Sequence, residues 1–395
     1  MTPLRPDWQP RYTLTPVVAR SLMEIEAARA VVEHTPLPPA VEAELRHRAR
    51  VRSTHYSTRI EGNRLTLVEA ERVIEGKAAE IRGRERDVAE VRNYWNALLR
   101  VEEWAAKKAP LTEDLIRRLH ALIVKGTRAR PTPYRDGQNV IRDSASGAII
   151  YLPPEAKDVP ALMAALVAWV HRAEKEGLPA PLIAALVHYQ FVTIHPYYDG
   201  NGRTARLLAT FILHRGGYGL HGFFSLEEHH ARDLAAYYNS LAVHPHHNYY
   251  EGRADADPVR AASPGPPGRD GLTPWMEYFM RTLAQVFGAA REEALRLVKE
   301  GVPAEPEALR RLDPRARVVL ALFAKAERIT TAEAAEALGL STRMTRTLLQ
   351  QWVADGWLVV TNPSNRARAF ALSATYRRYI GGLSAMPWEA RDARS

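Results

Sequence analysis

The chain has 395 residues, 46% apolar and 25% charged, a composition that excludes a wholly disordered or fibrous protein and leaves room for roughly two to three domains with cores of their own. Lysine and arginine number 54 against 45 aspartate and glutamate, a formal charge of +9, which leans toward acidic partners such as nucleotides or nucleic acid without demanding them. No cysteine is present, so disulfides, Cys-ligated zinc, iron–sulfur clusters and thiol nucleophiles are excluded, and a reducing compartment fits. The segment Met1-Thr2-Pro3-Leu4-Arg5-Pro6-Asp7-Trp8 has no apolar stretch of the signal-peptide kind, and nowhere do eighteen apolar residues run together. The expectation is therefore a soluble, cytoplasmic protein with no membrane partner.

From about Val17 to Gly76, apolar residues at three- and four-residue spacing predict three helices, with breaks at Thr35-Pro36-Leu37-Pro38-Pro39 and Glu61-Gly62-Asn63. Two more helices follow, from about Arg82 to Lys107 and from Thr112 to Lys125, the second with Glu113 and Asp114 in its first turn, where the helix dipole favours carboxylates. The period then changes. Short runs at Asn139-Val140-Ile141 and Ala148-Ile149-Ile150-Tyr151-Leu152, around Asp143-Ser144-Ala145-Ser146-Gly147, predict a β-hairpin. Helices resume at Val159 to Glu176, Ala180 to Ile194 and Arg203 to His214. Asp255 to Pro274 is rich in proline and glycine and reads as a linker or long loop, followed by an amphipathic helix from Trp275 to Lys299.

The most informative text is His195-Pro196-Tyr197-Tyr198-Asp199-Gly200-Asn201-Gly202-Arg203-Thr204-Ala205-Arg206. Pro196 obstructs continuation of the helix before it, which places His195 at a helix end facing the next loop. Gly200 and Gly202 let backbone N–H groups converge at the N-terminus of the following helix, a site suited to phosphate. Arg203 and Arg206, three apart, share one face of its first turn. Asp199 is suited to a hard cation such as Mg²⁺ bridging phosphates, and a neutral His195 can take a proton from an incoming hydroxyl. Any one of these features is commonplace alone. Together they describe transfer of part of a nucleotide to a hydroxyl.

This string resembles the signature of the Fic family, His-Pro-Phe-x-Asp/Glu-Gly-Asn-Gly-Arg-x-x-Arg, with Tyr197 at the position usually held by a packing Phe. The resemblance implies a mainly α fold: an all-helical Fic core with a β-hairpin flap. It implies a protein adenylyltransferase that moves AMP from ATP to a Ser, Thr or Tyr hydroxyl of a protein and releases pyrophosphate. His195 is then the general base, Asp199 the Mg²⁺ ligand, and Gly200, Asn201 and Gly202 the anion hole. Arg203 and Arg206 become the phosphate clamp, with Thr204 and Ala205 inside the same ATP-binding turn. The hairpin 139–152 resembles the flap that holds a protein substrate by strand addition. Tyr237 and Tyr238 resemble a Tyr-Tyr pair lining the nucleoside pocket, although paired tyrosines on a helix are ordinarily core.

Ser57-Thr58-Arg59-Ile60-Glu61-Gly62 places a carboxylate at the unfavourable end of a helix dipole, which invites a cation. It resembles the family's inhibitory motif, which pairs Glu61 with Arg206. Self-modification, removal of AMP and homodimerisation are further properties that the resemblance brings with it.

From Asp313 to Gly382 the pattern is helix, helix, Gly339, helix, then two strands about Asn362-Pro363-Ser364-Asn365. It resembles a winged helix-turn-helix, with Arg343, Arg346, Arg366 and Arg368 on the recognition helix and wing. Residues 313–395 hold twelve basic and seven acidic side chains, compatible with DNA as a partner of 313–382 and equally with a protein–protein role. The expected divisions are an N-terminal helical region at 1–105, a catalytic core at 106–254, a linker and connecting helix at 255–312, the winged unit at 313–382 and a tail at 383–395. The alternative to an enzyme is a nucleotide-sensing, DNA-binding transcription regulator, which has no evident use for His195. His229-His230 and His244-Pro245-His246-His247 lack metal-ligand spacing and read as a polar surface tract.

Overall fold

The computed structural model describes residues 8–76, 78, 81–127, 130–142, 146–242, 248–250, 271–300, 312–323, 326, 328–362, 368–373 and 376. The hairpin turn at 143–145, most of the expected linker, the tract 243–247, the wing turn with Arg366 and the tail 383–395 lie outside them. The chain divides into two compact units, one of residues 1–36 and 44–298, the other of 37–43 and 299–395.

In the first unit, α1 (Pro16–His34), α2 (Pro39–Ile60, its first residues counted with the other unit) and α3 (Leu67–Ile74) precede α4 (Glu85–Ala106) and α5 (Glu113–Lys125). Three of these starts are capped by a side chain. Thr15 accepts from the Val18 amide, Thr66 and Glu69 form a reciprocal capping box, and Thr112 accepts from the Leu115 amide. The hairpin is shorter than expected: β1 (Ile141–Arg142) pairs antiparallel with β2 (Ile149–Tyr151), with an irregularity between the paired residues. Then come α6 (Val159–Lys175), α7 (Ala180–Ile194), α8 (Asn201–Arg215), α9 (Leu226–Arg232), α10 (Leu234–Leu241) and α11 (Thr273–Lys299).

The core runs along α7 and α8. In α7 every residue from Pro181 to Phe191 is buried, and in α8 Arg203 to Leu213 are buried too, so both helices are enclosed on all sides rather than amphipathic. Helix α11 begins inside the segment expected to be linker, because Pro274 falls at a helix start, where its missing N–H costs nothing. Its Trp275 is fully buried and donates to the Ala185 carbonyl at 2.8 Å.

The second unit holds α12 (Pro314–Leu322), β3 (Ile329–Thr330), α13 (Thr331–Leu338), α14 (Thr342–Ala354), β4 (Leu358–Asn362) and β5 (Ala369–Leu372). Gly339 in the left-handed region closes α13, and Ser341 caps α14. The sheet has three strands in the order β3-β5-β4, where the sequence suggested two, because β3, too short to show a period, pairs with β5. A small core closes around Leu349, Trp352, Trp357, Leu358 and Phe370.

Candidate active site

The loop from His195 to Gly200 joins the end of α7 to the start of α8. His195 closes α7 in the left-handed conformation, φ 50°, ψ 59°. This is uncommon for a side-chain-bearing residue and costs on the order of 1–3 kcal/mol unless its surroundings hold it. Its Nδ1 lies 3.2 Å from the Val192 carbonyl. A carbonyl only accepts, so Nδ1 carries the proton and Nε2 keeps its lone pair. Burial lowers the imidazole pKa from 6.5 to about 4, so the ring is neutral at physiological pH.

Asn201, the first residue of α8, is buried and fully committed. Its Nδ2 donates to the Tyr197 carbonyl at 2.7 Å and its Oδ1 accepts from the Tyr197 amide at 3.0 Å, drawing the loop into a closed turn. Tyr197 packs as a core ring, stacked on His120 at 3.6 Å between centroids. His120 donates from Nε2 to the Asp199 carbonyl at 2.8 Å. Gly200 is left-handed, φ 76°, and a Cβ there would meet Val124 at 2.8 Å and His120 at 3.3 Å, so both conformation and space demand glycine.

Because α8 starts at Asn201, the amides of Asn201, Gly202 and Arg203 fall in its first turn, where no intrahelical carbonyl reaches them. Arg203 is buried, with Nη2 3.1 Å from both oxygens of Asp199 and Nη1 3.9 Å from Glu90. Its Nε is buried without a hydrogen-bond partner among the described residues. The Asp199 carboxylate, by contrast, is 70% exposed, and it also accepts from the Gly200 amide at 2.7 Å.

Arg206, 149 residues from Ser57, donates to Ser57 Oγ at 2.8 Å, to the Ser57 carbonyl at 3.0 Å and to Glu61 Oε1 at 2.9 Å. Burial works against the Arg206 charge, and Glu61, with Tyr237 and Tyr94, more than restores it, so its pKa is raised overall. The Glu61 carboxylate lies over the first turn of α8: a Cβ on Gly202 would land on Glu61 Oε1 and stand 3.2 Å from Arg206 Nη1. Glu61 is therefore placed on the positive end of a second helix rather than left at the negative end of its own.

The structure thus brings His195, Asp199, Gly200, Asn201, Gly202, Arg203, Arg206 and Glu61 together, and it shows what four members of the expected ATP-binding set already contact. Thr204 spends its hydroxyl and its amide on the Gly200 carbonyl, at 2.7 and 3.0 Å, and Ala205 is wholly buried, so neither has a group free for a nucleotide. The Asn201 side chain shapes the loop, leaving only its amide for an anion. Tyr237 is core, 1% exposed, with its hydroxyl 3.1 Å from His188 Nε2 and its ring stacked on His230. Tyr238, beside it, is 48% exposed and alone of the pair can line an open pocket. His230, read as surface, is buried against Tyr278, and no metal-ligating cluster of three or more His, Cys, Asp or Glu occurs among the described residues.

Sequence reasoning missed Arg135. This residue is buried, and its guanidinium and amide are spent on the carbonyls of His195, Pro196, Gly137 and Pro154. Only its place four residues before the hairpin marked it, and that spacing carries no signal of its own.

Residues 110–213 match the Fic/DOC family. The chain carries a Fic/DOC domain. Among curated proteins, the chain is 33% identical over 173 residues to a protein adenylyltransferase Fic of Nematostella vectensis, covering 42% of this chain and 37% of that one. It is 28% identical over 200 residues to a protein of the same name from Drosophila willistoni, covering 50% and 39%. The chain therefore spans well under half the length of these relatives. Among solved structures, a Fic family protein from Desulfovibrio desulfuricans aligns over 93% of this chain and 99% of its own, at 25% identity and a TM-score of 0.55. A Fic domain containing signaling protein from Bacteroides thetaiotaomicron aligns over 71% and 97%, at the same identity and TM-score. The Fic/DOC match ends within α8, so it encloses the loop, Arg203 and Arg206, while Glu61 lies before it.

Proposed function

We propose that the chain is a protein adenylyltransferase, transferring AMP from ATP to a Ser, Thr or Tyr hydroxyl of a protein, with Glu61 as an internal brake. One observation carries the reading: His195 has its Nδ1 proton turned to Val192 and its Nε2 lone pair left over, beside a helix start with unbonded amides and two buried guanidinium groups. Nε2 takes the proton as the target oxygen attacks the α-phosphorus, and the bond from that phosphorus to the diphosphate oxygen breaks. The first-turn amides and Arg203, whose buried Nε lacks a hydrogen-bond partner among the described residues, are suited to the charge on the phosphates. Mg²⁺, when bound, neutralises part of that charge; a single exposed carboxylate such as Asp199 fits a cation that takes its other ligands from phosphate and water. Tyr238 is the tyrosine available to the nucleoside, and the hairpin supplies the edge for a target strand.

In this reading Glu61 restrains transfer by occupying Arg206 and the first turn of α8, the groups a triphosphate tail needs. A hydrogen bond between charged groups is worth about 1.5–3 kcal/mol, or roughly tenfold or more in occupancy. Glu61→Gly should therefore raise incorporation of AMP from ATP labelled at the α-phosphate, including into the chain itself, by on the order of tenfold. His195→Ala should abolish it. Equal labelling of wild type and both variants would overturn the reading. Removal of AMP from a modified protein is a second activity of the same site.

A second reading concerns the C-terminal unit, as a winged helix-turn-helix that contacts duplex DNA. It is favoured by α14, which exposes Arg343 and Arg346 and carries no acidic residue.

A further inference from the structure

Arg135 joins three pieces of chain through one side chain. From Nε it donates to the carbonyl of His195 at 2.9 Å, from Nη1 to that of Gly137 at 2.9 Å, and from Nη2 to that of Pro154. Its own amide donates to the Pro196 carbonyl at 2.9 Å. Gly137 and Pro154 are the two feet of the hairpin 139–152, so one guanidinium ties both feet of the hairpin to the backbone of the histidine. Around it the attachment repeats with weaker means. Tyr198 Oη accepts from the Gly137 amide at 2.7 Å and donates to Asp136 at 2.7 Å, Asn139 Nδ2 donates to the Tyr197 carbonyl at 3.2 Å, and Tyr151 Oη donates to the Thr193 carbonyl at 3.0 Å.

Each carbonyl that Arg135 reaches belongs to a loop or a helix end, outside any ladder that could satisfy it. A planar guanidinium offers donors in fixed directions, whereas a lysine ammonium is a single flexible point. His195 itself is held left-handed, a conformation that persists only when its surroundings enforce it.

We propose that Arg135 is the positioning residue that sets the distance between the hairpin edge and Nε2 of His195, so that it governs transfer to a hydroxyl carried on the hairpin and has no part in holding ATP. The inference rests on the proposed transferase reading and adds to it the group that registers acceptor with base. Among the described residues, the hydrogen bonds of Arg135 go to the carbonyls of His195, Pro196, Gly137 and Pro154 and none goes to Arg203, Arg206 or the first turn of α8. Displacing a reacting group by about 1 Å costs on the order of 100-fold in rate.

The test compares the full chain carrying Glu61→Gly with the same chain carrying Arg135→Lys or Arg135→Gln in addition. Binding of Mg-ATP is followed by calorimetry, self-labelling from α-labelled ATP by autoradiography, and hydrogen exchange peptide by peptide. The expected result is a fall in labelling on the order of 100-fold in both Arg135 variants. ATP affinity should be unchanged, and exchange should be faster at 137–154 but not in α8. Lysine should fail to rescue, since charge alone does not span three carbonyls. Unchanged labelling, unchanged exchange at the hairpin, or a loss of ATP affinity in step with labelling would each overturn the proposal. A Glu61→Gly parent that takes up no label counts instead against the transferase reading, and the hairpin exchange then still decides whether Arg135 holds the flap.

Discussion

The proposed reaction sets two requirements at His195: the ring must be neutral to accept a proton, and its free nitrogen must be the one away from its own helix. Burial meets the first by lowering the pKa to about 4, and the Val192 carbonyl meets the second. The rate of AMP transfer should therefore show no inflection near 6.5, staying level as pH falls from 8 to about 5 and dropping only as His195 gains a proton near 4. A pH–rate profile of the Glu61→Gly chain checks this. Tyr197 presents the opposite case, a ring that packs well and a buried hydroxyl that finds no hydrogen-bond partner among the described residues. Tyr197→Phe should raise stability by about 1 kcal/mol, read as a higher melting temperature. Gly200→Ala should lower it by about 2 kcal/mol, because a left-handed backbone and the Val124 side chain both reject a Cβ.

At the scale of elements, the loop from His195 to Asn201 is a closed turn made by one side chain. Asn201 both donates to and accepts from the peptide of Tyr197, which no isosteric acid can do. Asn201→Asp would set a carboxylate oxygen against the Tyr197 carbonyl. It should cost about 1–3 kcal/mol of stability and weaken ATP binding, measured by calorimetry beside a thermal melt. The end of α2 shows how far a motif can be read. Ser57 and Glu61 sit four apart, one helical turn, so their shared face was legible in the sequence, as was their need for a cation. That Ser57 contributes its carbonyl as well as its hydroxyl to Arg206 was not, because a backbone acceptor leaves no trace in residue type. The engagement of Thr204 and Ala205 was hidden for a related reason. Helical periodicity shows that they follow the loop, but only the actual start of α8 at Asn201 decides which amides are already bonded.

Across the first unit, packing carries histidines of α2, α5 and α7 into the interior. His55, His120 and His195 are lowered to about 4 and His188 to about 3, in each case chiefly by burial. Between pH 6.5 and about 4 the unfolded chain binds protons that the folded chain does not, so stability is full above 6.5 and is lost as pH falls through that window. Thermal melts over this range should show a progressive loss, and His188→Gln should flatten it. In the second unit, the test of the DNA reading is binding of a fluorescent duplex by the full chain at several salt concentrations. Binding should weaken with salt, and Arg343→Ala with Arg346→Ala should reduce both affinity and salt slope. Duplex binding unaffected by either would point to a protein partner for α14.

The order of helices, the hairpin and the glycine loop after His195 were visible in residue order, because each depends on neighbours a few positions apart or on a short string of residue types, whereas the pairing of Glu61 with Arg206, 145 residues apart, was implied only by resemblance to a family motif. The sequence alone could not decide which hydrogen-bonding groups were already spent. Tyr237 and His230 became core, the Asn201 side chain became a brace, and Arg135 became a tie between hairpin and histidine, each by contact with residues distant in the chain or with bare carbonyls. Burial and backbone acceptors arise only when distant segments pack, and it is packing that assigns a polar side chain to the interior or to the site.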